Sequence, residues 1–143
     1  MDVYIFPSTS LRNIYIGIQQ GRWAVAPIDE PYASARLTRS RDMPEGAAGL
    51  FYCSNPQVFT TPFRIESRAE DRPITGVWDE TWFLPFRIRP LGDLSHQITL
   101  THAKATWPKL EGVPNVTEVL NLSGAMAFTK TWFPRRNWDI ILE

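Results

Sequence analysis

The sequence predicts a single α+β domain spanning residues 1–143, built on a curved mixed β-sheet or small barrel flanked by a few short helices. Three observations predict it. A chain of 143 residues is the size of one domain with one sizeable core. Hydrophobic residues make up 43% and charged residues 21%, an ordinary globular balance far from that of a disordered chain. The periodicities run strand–helix–strand and then a meander of strands, which fits a curled sheet better than a doubly wound parallel one.

Residues 2–6 (DVYIF) read as the first strand. Ser8 and Thr9 follow as N-cap candidates for a helix in which Leu11, Ile14, Tyr15 and Ile18 recur at helical spacing, and Gly21 ends it. Residues 22–26 (RWAVA) alternate as a short strand stopped by Pro27. Residues 28–47 are polar and turn-rich, with at most one short helix near 32–40. Two strands, 48–53 and 58–67, flank a Ser-Asn-Pro turn. Pro62 lacks an N–H, so its strand is expected at an edge or with a bulge. Residues 68–81 read as a charged loop, 82–90 as a strand and 97–103 as one more. A short helix near 116–123 precedes the closing stretch WFPRRNWDIILE. No repeat, low-complexity tract or linker interrupts the chain.

Fifteen basic and fifteen acidic residues leave no formal net charge. Proteins that coat nucleic acid through its phosphates are usually strongly basic, so bulk attraction is not the mode expected here, although a local basic face stays open. Only Lys104, Lys109 and Lys130 among the fifteen cations are lysines. The arginine excess reflects either genome composition or planar, bidentate phosphate recognition. No apolar run approaches the roughly 20 residues of a membrane span, and no membrane partner is expected. The opening segment carries no basic run before its apolar residues, so no secretory signal is expected. Cys53 stands alone, which excludes an internal disulfide and a cysteine-based zinc site. These features together predict a reduced, cytoplasmic setting.

Catalytic patterns are missing. His96 and His102 sit six apart without a carboxylate pair nearby, a poor pattern for a metal. Asp79 and Glu80 are adjacent and point to opposite faces of an extended segment, a poor geometry for paired acid–base work. Ser54 lacks a Gly-x-Ser-x-Gly setting, and no histidine is suggested beside Cys53. The sequence therefore predicts no catalytic residue, no metal and no cofactor. The unusual feature is aromatic content, six Trp and eight Phe. Most must be core, since each buries about 150–250 Å². Tryptophan is also the residue best suited to stacking on a base, so each one is either core or wall.

Residues 3–27, VYIFPSTSLRNIYIGIQQGRWAVAP, resemble the opening of YTH domains and the related EVE domains of the PUA-like superfamily. There a strand runs into a Ser/Asn-rich helix start, and one helix later a Gly-x-Trp opens the next strand. The stretch 49–90, with GLFYCSNPQVF and VWDETWFLPFRIRPLG, fits the same families. The resemblance covers about two thirds of the chain and weakens after residue 103. It implies a pocket for a modified, typically methylated base flipped out of its strand. Its walls would be Trp23, Trp78 and Trp82, with Phe86 as the marking aromatic. Ser8, Thr9 and Asn13 would hydrogen-bond the base edge, and the Ala24 carbonyl would accept from the exocyclic amine. Readers of N6-methyladenine in RNA carry Asn where Thr9 stands, and a hydroxyl cannot make the paired contacts of an amide.

By that resemblance the domain recognises modified bases without acting on them. DNA is the expected polymer, as in the recognition modules of modification-dependent restriction systems, with a motor or nuclease as a possible partner. Methylated RNA is the alternative. Other classes are an amidohydrolase of the related ASCH branch, which would need a lysine in the pocket, and a protein-interaction domain using exposed aromatics. Lys130, Arg135 and Arg136 are either a phosphate clamp or a solvated face. Ser8 and Thr9 have an ordinary reading as helix caps beside the base-binding one. Trp107, Trp132 and Trp138 read as core or surface packing near the C-terminus.

Overall fold

The first strand, β1 (Asp2–Ser8), has a partner on each side over its first half and on one side at its Ser8 end, and this strand organises the sheet. The structure, a computed structural model, describes residues 1–123 and 127–143. β1 pairs in parallel with β3 (Ala48–Ser54), from Val3 opposite Ala48 to Ser8 opposite Cys53. Between them lie helix α1 (Leu11–Gln20), strand β2 (Arg22–Val25) and helix α2 (Tyr32–Ser40). β3 turns at Ser54–Gln57 into antiparallel β4 (Gln57–Ile65). β5 (Pro73–Ile74) and β2 both pair with β6 (Trp82–Pro90), while β7 (Gln97–Thr99) pairs with β4 and β8 (Thr129–Trp132) with β1. The path β2-β6-β4-β3-β1-β8 is a curled mixed sheet with short helices, the predicted fold class.

Alternation along β1 explains its burial. Tyr4 and Phe6 face one core with Phe51, Phe63, Phe86 and Ile14 of α1. Val3 and Ile5 face the other with Leu50, Tyr52 and Phe59. The second core is covered by helices α3 (Leu100–Thr106), α4 (Val116–Val119) and α5 (Arg135–Leu142), through Leu100, Val116 and Trp138. A strand covered on both faces reads as a continuous apolar run, as VYIF and GLFYC do.

Pro62 behaves as its chemistry requires. Leu50 pairs with Pro62 but Phe51 pairs with Thr60, so Thr61 is the extra residue of a bulge. Thr61 takes φ 50°, and its buried hydroxyl donates to the Asp93 carbonyl at 2.9 Å. On the other side of β4, β7 holds residues 58–60 and β6 holds 63–65, so no strand asks Pro62 for the N–H it lacks.

Four predicted details are corrected. The cap of α1 is Ser10, one residue beyond the expected Ser8 and Thr9; its side chain accepts from the Asn13 N–H at 3.1 Å. The expected strand 97–103 stops at Thr99, whose hydroxyl accepts from the His102 N–H at 3.0 Å and starts α3. Leu100 and Ala103, three apart, then bury on one helical face. The helix expected over 116–123 is one turn, Val116–Val119. The closing stretch, given no element by the pattern, forms the end of β8 and all of α5.

Candidate functional site

The end of β1 is shaped by local hydrogen bonds. Ser8 Oγ accepts from the Ser10 N–H at 3.2 Å and donates to the Ser10 carbonyl at 3.3 Å, bending the chain before α1 begins. At the other end of α1, Gly21 sits at φ 64° and donates to the Gly17 and Ile18 carbonyls, the left-handed cap that glycine accommodates without strain. β2 then returns close along the helix. A Cβ on Gly17 would stand 2.8 Å from both the Arg22 carbonyl oxygen and Trp23 Cε3, so only glycine allows this approach. β2 pairs with β6, Trp23 opposite Phe86, which brings the start of β6 and its Trp82 beside Trp23.

These elements enclose a cavity of about 260 Å³. Its lining includes Ser8, Thr9, Asn13, Trp23, Ala24 and Trp82, six of the seven residues nominated for base contact. The Asn13 side-chain amide finds no hydrogen-bond partner among the described residues and remains available to a ligand with both donor and acceptor. None of the three lysines lines the cavity.

The three tryptophans converge, but not as three separate walls. Trp23 meets Trp82 edge-on, centroids 5.3 Å apart and planes at 80°, and meets Trp78 at 5.6 Å and 84°. Trp78 and Trp82 stack on each other at 4.2 Å and 11°. A planar ligand between two rings needs them about 7 Å apart, twice the carbon contact distance, so no base fits between Trp78 and Trp82 as they stand. Trp78 departs from its expected place: it backs Trp82 rather than lining the cavity, and its Nε1–H donates to the Asn13 carbonyl at 3.1 Å. The indole thereby ties the loop before β6 to the first turn of α1.

The nominated phosphate residues lie elsewhere. Lys130 is opposite Tyr4 on β1, and Arg135 and Arg136 open α5 just beyond Trp132, which pairs with Asp2. The cavity is at the Ser8 end of β1, at strand rise about 13 Å from Tyr4, the partner of Lys130, and about 20 Å from Asp2, beyond which α5 begins. Arg135 pairs instead with Asp139 across one helical turn, Nε to Oδ1 3.8 Å, with both side chains exposed. Of the C-terminal tryptophans, Trp107 and Trp138 are core and Trp132 is exposed.

Sequence reasoning missed Arg36 and Glu80 in the cavity wall. For Arg36 the signal was present: Ala33, Arg36, Leu37 and Ser40 follow helical spacing, and an arginine on that inward stripe is unusual.

No family model matches the chain, and no curated protein matches it. Solved structures do. The YTH domain of Zygosaccharomyces rouxii MRB1, in complex with N6-methyladenosine RNA, aligns with TM-score 0.64 and 17% identity over 99% of this chain and 84% of that one. The YTH domain-containing protein mmi1, in complex with RNA, aligns with TM-score 0.61 and 11% identity over 97% and 78%. Protein Atu2648 of Agrobacterium tumefaciens aligns with TM-score 0.57 and 20% identity over 99% and 91%. At these identities the likeness establishes the fold, a YTH-type α+β half-barrel.

Proposed function

We propose that this domain reads a modified base in single-stranded RNA, holding it in the cavity against Trp23 and Trp82 without acting on it. The observation that carries the proposal is the convergence of Ser8, Asn13, Trp23, Ala24 and Trp82 on one cavity. It occurs in a fold shared with a YTH domain solved with N6-methyladenosine RNA. Trp23 or Trp82 supplies a stacking face, Asn13 and Ser8 meet the base edge, and the Ala24 carbonyl accepts from an exocyclic amine.

The angle between the walls bears on whether the strand is paired. With Trp23 and Trp82 at 80°, a flat base stacks on one and meets only the edge of the other. One stacking face returns about 1–3 kcal/mol, close to the few kcal/mol that extrusion from a duplex costs. An unpaired strand escapes most of that cost. This favours a single strand over a duplex; RNA rather than the DNA expected from the sequence is proposed from the likeness to domains solved with RNA. The MRB1 and mmi1 structures are complexes with RNA, and neither is described with a restriction system, motor or nuclease. The absence of lysine from the cavity wall disfavours the amidohydrolase alternative.

Fluorescence anisotropy on matched RNA and DNA strands, with and without N6-methyladenine, 5-methylcytosine and 5-hydroxymethylcytosine, tests the proposal. One modified RNA should bind roughly 10–200-fold more tightly than its unmodified match, the range for a fitted pocket sensing one methyl-sized group. Equal affinity for every strand refutes it.

A further inference from the structure

Among the described residues, one charged side chain is buried: Arg36 on α2, at 9% exposure. Its Nη1–H donates to the Ala26 carbonyl at 3.0 Å. No described carboxylate pairs with it, and the rest of its five donors meet no described acceptor. Arg39, three residues on, adds a second positive charge and is itself bonded to the Phe128 carbonyl at 2.9 Å. Desolvation, and then the charge of Arg39, push the Arg36 guanidinium below its ordinary pKa. A cation withdrawn from water without an anion is a costly arrangement that a ligand's negative charge relieves.

The position of Arg36 says which ligand group would do so. It lines two cavities at once, the one beside Trp23 and a second of about 220 Å³ walled by Ile28, Leu37 and Phe83. Val25, Ala26 and Arg36 form the partition between them. A strand with one nucleotide in the first cavity and its neighbour over the second must pass their linking phosphate across this partition. The carboxylates nearby, Glu80 in the first cavity and Glu30 and Asp71 in the second, belong to exposed residues, where solvent screens them.

We infer that Arg36 binds the phosphodiester adjoining the nucleotide held against Trp23 and Trp82, its guanidinium fork taking phosphate oxygens in pairs. This deepens the base-pocket reading and rests on it. It also resolves the neutral net charge, because one buried, directional contact replaces a diffuse basic face.

The test replaces single linkages in an N6-methyladenine RNA strand by neutral methylphosphonates, one position at a time, and measures binding to wild type and Arg36→Gln. In wild type, one linkage beside the modified base should weaken binding roughly tenfold to a hundredfold when neutralised, the worth of a hydrogen bond to a charged group. Arg36→Gln should bind the unsubstituted strand as weakly as that, be indifferent to the same substitution, and lower the salt slope by about 0.7. Uniform sensitivity at all linkages in wild type, with methyl selectivity intact, overturns the assignment of Arg36 and leaves the base pocket standing. Loss of methyl selectivity in wild type overturns both. If Arg36→Gln does not fold, the wild-type linkage scan decides alone.

Discussion

Replacing Gly17 by alanine should destabilise this protein, although the same change in the middle of a helix ordinarily helps. An interior helical glycine costs about 0.5–1 kcal/mol relative to alanine, so the backbone term favours the substitution. Packing opposes it. The new Cβ would stand 2.8 Å from the Arg22 carbonyl oxygen, which is backbone, and 2.8 Å from Trp23 Cε3. Trp23 has no room to retreat, with Phe51 at 4.7 Å and Trp82 at 5.3 Å between ring centroids. Overpacking of this kind costs about 1–3 kcal/mol. The difference leaves a loss of up to about 2.5 kcal/mol, a fall in Tm of up to about 8 °C. Urea unfolding followed by tryptophan fluorescence measures it, with an unchanged m-value as the check that the unfolded state is comparable. The displaced indole should also reduce discrimination between modified and unmodified strands in anisotropy. A Gly17→Ala protein more stable than wild type would refute the close α1–β2 approach and the placement of Trp23 built on it.

Of Trp23→Ala and Trp82→Ala, the one that removes the stacking face should cost about 1–3 kcal/mol of binding and the other less, and both should reduce preference for the modified strand, read by anisotropy. Trp78→Phe keeps an aromatic ring against Trp82 but loses the bond to the Asn13 carbonyl, so stability should fall by about 0.5–1.5 kcal/mol in urea while selectivity survives. Arg135→Ala with Arg136→Ala should leave both affinity and salt slope unchanged, because both residues lie at the far end of β1 from the cavity. The Asp93 carboxylate accepts from the Ser95 hydroxyl and N–H, which hold its pKa below the ordinary value. Its contribution to stability is present above the unfolded carboxylate pKa and lost as pH falls through the folded one, so Asp93→Asn should make the acid limb of a urea-midpoint profile shallower.

Strands with both faces buried were legible because VYIF and GLFYC leave no polar face to misplace, and Pro62 announced its own bulge. The α1–β2 unit was legible because Ser8 to Trp23 is one contiguous motif. Elements set by a single capping bond were not. QITLTHA alternates as a strand and also spaces Leu100 and Ala103 as a helix, and only the Thr99 cap decides between them. α5 was hidden because Arg135, Arg136 and Asp139 interrupt its apolar residues, leaving Trp138 and Ile141 to carry the buried face. For the site, sequence named residues but not ring orientations: whether Trp78 faces the cavity or backs Trp82 depends on a long-range bond to Asn13. The distance of Lys130, Arg135 and Arg136 from the cavity depends on the antiparallel sense of β8, which no local pattern carries.

The connectivity of the sheet also fixes when, during synthesis, this chain can first hold a ligand. β1 waits for β3 across the whole α1–β2–α2 crossover, Ile5 meeting Leu50, and β2 waits still longer for β6, Trp23 meeting Phe86. Closing such loops costs entropy that grows slowly with length, but contacts so distant in sequence form late compared with local ones. A nascent chain that has reached Ser54 already contains Ser8, Asn13, Trp23 and Ala24, yet it has neither Trp82 nor a partner strand to fix β2. The pocket, whose wall also takes Leu122, Ser123 and Ala127, is therefore complete only after the ribosome has passed Ala127, and no amino-terminal fragment ending before β6 has the Trp82 that walls it.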